Sequence, residues 1–495
     1  MQEPFDEKLF SDFPEVTKQE WEKKILEDLK GADYDQKLVW HTKEGFDVRP
    51  YYCAEDLQHL KHLIGKSGGF QFISTEKKDS NEWKIRQDIP VDNPEKANKT
   101  ALDILRKGVT SLGLEFDSGI VDSGEKFSIL LKSISFDGIS LNLLTGKDSL
   151  KMMEYLVEEV HKRRFDAVEL KGSCNFDPIG NLTVRGDFYQ DYDSDLRDLK
   201  DLIDRASKAL PLYKLIEVNG LNFSNAGATI VQELAFTLSI GNEYLARLTD
   251  IGFNIDDISG RMQFVFGIGS NYFLEIAKLR AARLLWTKII EAYKPEKKES
   301  TGMFIHAVTT QWNRTLYDPY VNMLRSTTEA MSAILGGVDS MEIKPFDSAY
   351  TGVSEFSLRN ARNTQIILKE EAYFNKVVDP AAGSYYIENI SHSIARHAWN
   401  LFLEIEDKGG YVEAFKTGFI QEIIEKTAAQ RSNDIAMGQE VLVGTNKYPD
   451  HPEQIDDRIA ASVQTEDKHK TGFARPIRQF RGAAEFEKQR LKKGM

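Results

Sequence analysis

Cysteine is nearly missing from this chain of 495 residues. Cys53 and Cys174 are its only two, too few for a disulfide framework, and neither sits in a CxxC or Cys/His cluster, so zinc-site and thioredoxin-type readings have no support. Long apolar runs are missing as well: no stretch approaches the roughly 20 residues that a membrane span needs. The start, Met1-Gln2-Glu3-Pro4-Phe5-Asp6-Glu7, has neither the basic opening nor the apolar centre of a signal peptide. Cytoplasmic residence is therefore expected. Positive charge is in deficit, 64 Lys and Arg against 77 Asp and Glu for a net −13. That balance opposes nonspecific binding to nucleic acid or an anionic membrane. Internal repeats and low-complexity tracts are absent too.

What is present reads as an ordinary globular chain, long enough to bury a large core. The first 82 residues form an arm. Within it Thr17-Lys18-Gln19-Glu20 is a capping box, Trp21, Ile25, Leu26 and Leu29 share one helical face, and Gly31 is a natural stop. A helix this short needs the body or another chain to pack on. From residue 83 to 448, short apolar runs alternate with longer helical patterns. Strands are expected at 112–116, 139–144, 167–170, 215–218, 263–267, 303–308, 341–344 and 376–378. Helices are expected at 97–107, 149–164, 194–209, 272–292, 318–335 and 356–371, with more helix over 391–436. Eight strands interleaved with helices argue for an α/β fold, a closed (β/α)8 TIM-type barrel. Residues 449–495 read as a partly helical, surface-lying tail.

The chain is organised around residues 214–286. A short apolar run ends at Glu217-Val218-Asn219-Gly220, and Leu221-Asn222-Phe223-Ser224-Asn225-Ala226-Gly227-Ala228-Thr229 carries a loop into a helix. This stretch resembles the fourth strand and following loop of the substrate domain in the methylmalonyl-CoA mutase family. The likeness continues in Phe266-Gly267-Ile268-Gly269-Ser270-Asn271, Ala361-Arg362-Asn363-Thr364-Gln365, Asp379-Pro380-Ala381-Ala382-Gly383-Ser384 and Gly444-Thr445-Asn446-Lys447-Tyr448. A (β/α)8 barrel is the fold it implies. In the helix from Asn271 to Trp286, residues Phe273, Ile276, Ala277, Ala281, Leu284 and Leu285 make a broad apolar stripe, which is what an outer barrel helix needs.

Carried over residue by residue, the resemblance implies a stripped active site. Where the family has a tyrosine after Ile-Arg-Gln, Ile85-Arg86-Gln87 is followed by Asp88. A substrate-contacting glutamine aligns with Asn175, and the tyrosine-histidine pair beside the thioester aligns with Leu221 and Asn222. His306 matches a family histidine, but the glutamine two residues on is Val308. Arg185 aligns with the arginine that pairs with the substrate carboxylate, and it alone is a candidate substrate-binding residue. A site that steers a radical must exclude water and present donors where charge develops. Asp88, Asn175, Leu221, Asn222 and Val308 are degenerate positions in that sense, so no catalytic residue is expected.

A family cobalamin domain would supply a cobalt ligand from Asp-x-His-x-x-Gly. Asp467-Lys468-His469-Lys470-Thr471-Gly472 matches literally, but it follows polar sequence and precedes only 23 residues, against the ~100 or more of a doubly wound domain. His469 reads as a solvated tail residue, and no cobalamin-binding domain or cofactor of the chain's own is expected. Other motifs have plain readings. Asp256-Asp257 suits a helix N-cap, His59 and His62 a helix surface pair, and Lys162-Arg163-Arg164 a basic helix end. The resemblance thus implies a noncatalytic small subunit whose heterodimer partner, a large subunit, binds adenosylcobalamin and interconverts (R)-methylmalonyl-CoA and succinyl-CoA. Two alternatives stay open: an acyl-CoA mutase chain that uses a separate cobalamin subunit, and a free-standing CoA-thioester-binding protein.

Overall fold

The computed structural model describes Pro14, Lys77 and residues 16–60, 79–350, 352–450 and 472–493. Eight parallel strands close into a barrel. They are β1 (Lys84–Val91), β2 (Ser111–Phe116), β3 (Ser140–Leu144), β4 (Lys171–Cys174), β5 in two segments (Tyr213–Lys214 and Ile216–Asn219), β6 (Met262–Ile268), β7 (Ile305–Thr309) and β8 (Ser340–Glu342). The first β5 segment pairs with β4 and the second with β6, while β8 returns to β1 through Met341 opposite Ile85. The ring is therefore complete and leaves no free edge. A (β/α)8 barrel is what the sequence led us to expect.

Two expected strands are corrected. Residues 167–170 form a turn, and the strand follows at Lys171–Cys174. Residues 376–378 are also irregular, with Val377 exposed. The strand that replaces them in the count is β1. Its inward residues Lys84, Arg86 and Asp88 are charged, and its outward residues Ile85, Ile89 and Val91 are apolar, so its alternation is the reverse of a half-solvated strand. The expected helix at 391–436 is three helices: Tyr385–Asp407, Tyr411–Lys416 and Phe419–Ala436.

The outer helices explain how the barrel is held. Tyr272–Ala292 packs on Ile230–Asp250, Val321–Leu335 and Tyr385–Asp407. It is buried on nearly every side, and the expected stripe is corrected in two respects: Phe273 is half exposed, whereas Glu275, Lys278, Arg280 and Arg283 are buried. Each buried cation is met. Lys278 Nζ contacts Glu233 at 2.6 Å and Glu275 at 2.7 Å, and it donates to the Gly267 carbonyl. Arg280 pairs with Asp379 and Glu388, and Arg283 donates to the carbonyls of Gly336 and Gly337. Breaking such a pair leaves an uncompensated buried charge and costs about 3–5 kcal/mol.

The arm keeps its predicted capping box: Thr17 accepts from the Glu20 amide, and the Glu20 carboxylate accepts from the Thr17 amide. The resulting helix, Lys18–Asp28, buries none of its residues and leaves Trp21 and Leu26 more than half exposed. Lys18 to Asp56 and Tyr51 to Glu22 hold it to the segment that follows. A short antiparallel pair, Trp40–His41 with Asp47–Val48, then leads to the barrel's upper face. Among the described residues, no helix is long and apolar enough to cross a membrane.

Candidate functional site

The barrel lumen is filled by polar side chains from alternate strand positions. Arg86 binds Asp88 through Nε at 2.6 Å and Nη2 at 3.1 Å. Lys344 Nζ lies 2.7 Å from Glu342, the amides of Asn219 and Gln263 donate to Glu217, and His306 Nδ1 lies 3.2 Å from Ser340 Oγ. Below them Asn142 donates to Ser111 and accepts from Ser173. Two glycines make room for this filling. A Cβ on Gly113 would lie 1.6 Å from Asp88 Oδ1, and one on Gly172 would strike the Leu141 carbonyl and the Tyr213 ring.

Burial without full pairing sets the protonation states. Burial, with Asp177 adding to it, pushes the Glu217 carboxyl up to about 7. Burial works against the Asp88 carboxylate too, yet the charges of Arg86 and Lys344 outweigh it and hold that pKa below the ordinary value. His306 is pushed well below the usual imidazole range by burial and by Arg86, which keeps it neutral. The lumen is thus a closed electrostatic network, with Val308 buried beside it on β7.

The remaining sequence-predicted residues lie elsewhere. Asn175 follows β4 and its side-chain oxygen accepts from the amides of Thr145 and Gly146 at 2.7 and 2.9 Å, tying two loops at the barrel's C-terminal end. Leu221 and Asn222 open the short helix Leu221–Asn225, both half-buried. Arg185 ends the helix Pro178–Arg185, exposed and without a hydrogen bond or ion pair to any described residue. Asp88, His306 and Val308 are therefore brought together, and Arg185 stands apart from them.

One element that sequence reading placed on the surface proves to matter here. Residues 472–483 run as a strap across the C-terminal mouth. Ala474 N donates to the Gly186 carbonyl, Ile477 N to Thr183, Phe480 N to Asn225 and Gly482 N to Trp312, which links the loops after β4, β5 and β7. Gln479 Nε2 donates to Asn222 Oδ1 at 2.9 Å, so the strap engages that side chain directly. Phe480 meets Trp312 edge to face at 5.2 Å, and the helix Ala484–Lys493 anchors the end through Glu487, which accepts from Leu316 N and pairs with Arg481. Ala474, Ile477 and Ala483 are buried although the segment has few apolar residues, so no periodicity announced it.

Cavities flank this core at both ends. Beside the strap, about 610 Å3 opens between the arm's turn and the ends of β5 to β7, where Ser224, Gly269, Asn271 and Thr310 line it. Glu44 from the arm reaches in and accepts from the amides of Ile230 and Val231, capping that helix's positive end. At the N-terminal mouth, about 510 Å3 is bordered by Lys84, Lys171, Lys214 and Lys369. Lys369 pairs with Glu82, while Lys84 and Lys214 donate to backbone carbonyls. Burial, then the nearby Lys171 and Lys369, lower the pKa of Lys84.

The minor motifs have structural roles. Asp256 accepts from Glu296 N, Lys297 N and Ser300, while Asn254 is the N-cap. Arg163 donates to the carbonyls of Leu131 and Ile134 and pairs with Glu159. His59 meets His392 edge to face at 6.0 Å, and His62 and Asp467 to His469 lie outside the described residues. Among the described residues no three His, Cys, Asp or Glu side chains converge as a metal site.

Comparison with known proteins agrees with this architecture. A profile described as Methylmalonyl-CoA mutase matches residues 118–491. The chain is 41% identical to the methylmalonyl-CoA mutase small subunit of Porphyromonas gingivalis, over 98% of this chain and 78% of that one. It is 35% identical to the methylmalonyl-CoA mutase of Rhizobium meliloti over 88% of this chain, and 31% identical to the large subunit from Porphyromonas gingivalis over 83%. It spans less than two thirds of those last two proteins, 64% and 61%. The chain belongs to the methylmalonyl-CoA mutase family.

Proposed function

We propose that this chain is a noncatalytic small subunit that pairs with a large mutase subunit, which interconverts (R)-methylmalonyl-CoA and succinyl-CoA in the cytoplasm. The observation that carries this reading is the lumen: Arg86 and Asp88, with Glu217, His306, Glu342 and Lys344, fill the space where a thioester would have to reach. The presence in Porphyromonas gingivalis of one protein named a small subunit and another named a large subunit supports it, with the higher identity on the small-subunit side. Adenosylcobalamin belongs to the partner in this reading. The described residues of this chain do not fit it, because His306 is sealed in the lumen at 2% exposure and the strap crosses the mouth above. The half-exposed Trp21 and Leu26 on the arm helix, which buries none of its own residues, offer apolar surface to a partner. An interface of obligate type, more than about 2,000 Å2, is expected.

Native mass spectrometry of the chain isolated gently from its own cells tests this. A one-to-one complex with a larger, cobalamin-bearing chain is the expected result, and a lone monomer or homodimer overturns it. A second reading, a CoA-thioester-binding protein, is favoured by one observation, the lysine-bordered N-terminal mouth with room for a polyphosphate. Calorimetric titration with CoA separates the two: saturable binding by the isolated chain favours the second, and no heat the first. An acyl-CoA mutase chain with a separate cobalamin subunit would turn over substrate once that subunit is added.

A further inference from the structure

The first and last helices of the barrel, Pro94–Arg106 and Glu355–Glu370, do not close tightly over the seam between β1 and β8. A cavity of about 730 Å3 opens between them. At its base lies Arg362, only 7% exposed. Its Nη1 donates to Gln87 Oε1 at 3.0 Å, where Gln87 points outward from β1, and its Nε is buried with no acceptor.

This arginine is served differently from three other buried ones. Arg86 is matched by Asp88, Arg280 by Asp379 and Glu388, and Arg314 by Glu329. Arg362 has a neutral amide alone. A buried cation without a counter-charge is costly, and a planar guanidinium suits an oxyanion. The two carboxylates on the cavity wall act on Arg362 only at a distance, with no ion pair to it, and Asp103 pairs with Lys107. Lys99 and Arg359 face the same space and have no hydrogen-bond or ion-pair partner among the described residues. Four cations thus stand against two carboxylates, an excess that matches a dianion. Ile104 and Leu358 add apolar wall, and the volume is in the range of small-molecule sites.

We propose that this interhelical cavity binds a phosphate group, free or as a small phosphate monoester, with Arg362 as the buried anchor and Lys99 and Arg359 at the rim. The ligand completes the charge balance that the fold leaves open at Arg362. This site lies outside the barrel lumen and is independent of the subunit role proposed above.

Titration of the full chain at low ionic strength with inorganic phosphate and with phenyl phosphate, read by calorimetry, tests it. Saturable binding is expected, weakened about tenfold or more by Arg362→Gln and less by Arg362→Lys, which keeps the charge but loses the fork. Tighter binding of phenyl phosphate assigns the site to an ester, and equal binding to the free ion. No saturable binding of either probe overturns the proposal, as does affinity unchanged in Arg362→Gln. The double variant Lys99→Gln, Arg359→Gln changes only rim side chains; a several-fold loss is expected there too, and none overturns the rim assignment even should Arg362→Gln fail to fold.

Discussion

The two mouths of this barrel are furnished in opposite ways. The N-terminal mouth is a lysine-bordered bowl of about 510 Å3. The C-terminal mouth is crossed by a strap that bonds to the loops after β4, β5 and β7. Barrel enzymes work from the C-terminal face, where loops can vary without disturbing the strands. In this chain that face carries the strap beside a cavity of about 610 Å3, and between the mouths Arg86 and Asp88 fill the lumen. The difference teaches that one end of a barrel can tie its loops together with a strap of its own chain while the other carries a border of lysines.

The largest expected effect lies in the barrier between the mouths. Asp88→Ala leaves the Arg86 guanidinium buried and unpaired, and urea denaturation should register a loss of about 3–5 kcal/mol. A loss below 1 kcal/mol would mean that water reaches the pair and that the mouths communicate. Next comes the strap. Gly186 has φ +79°, and a Cβ there would meet the Ala474 carbonyl oxygen at 2.4 Å. Gly186→Val should cost about 2 kcal/mol or more through overpacking and the left-handed backbone. Hydrogen exchange should speed up at Ala474 and Ile477, with the N-terminal mouth unchanged.

A pH effect is smaller and runs through Glu217. Its folded-state pKa of about 7 lies above the ordinary carboxylate value, so the folded chain holds the proton more tightly. That contribution is fully present below the unfolded pKa of about 4 and falls away as pH climbs toward about 7. Glu217→Gln should flatten that part of the slope between urea midpoints measured at pH 5 and pH 8. An unchanged slope would show that Glu217 is solvated from below. Smallest of all, Lys171→Glu at the exposed rim of the N-terminal mouth should alter stability by no more than about 0.5 kcal/mol. A larger change in chemical denaturation would reveal that the lysine border is structural and the bowl only nominally open.

The barrel was legible because six of its strands, β2, β3 and β5 to β8, carry short, largely apolar stretches that alternate with helical patterns. β1 was not, because its charges face inward and its alternation imitates a solvent-exposed segment. Residues 167–170 read as a strand because β4 itself, Lys171-Gly172-Ser173-Cys174, is short and has little apolar surface, with Gly172 leaving space for Tyr213. In the lumen, Glu217, His306 and Glu342 interrupt apolar runs at inward positions, a signal readable once closure is assumed. Sequence likeness pointed to Asp88 and Val308, which do line or border the lumen, and to Asn222, which the strap engages. The strap itself gave no warning, since backbone amides make most of its bonds and these carry no residue signature.

Phe473 and Asp187 are 286 positions apart along the chain, and Gln479 and Asn222 are 257 apart. Contacts of such separation raise the contact order of the fold and slow its folding. During synthesis every barrel strand has emerged before the strap does, so the barrel can close first with its upper loops untied. The strap then acts as a final latch in time, joining the loops after β4, β5 and β7. Slowing that step alone, by a change such as Phe480→Ala, would lengthen refolding without altering the barrel's own assembly.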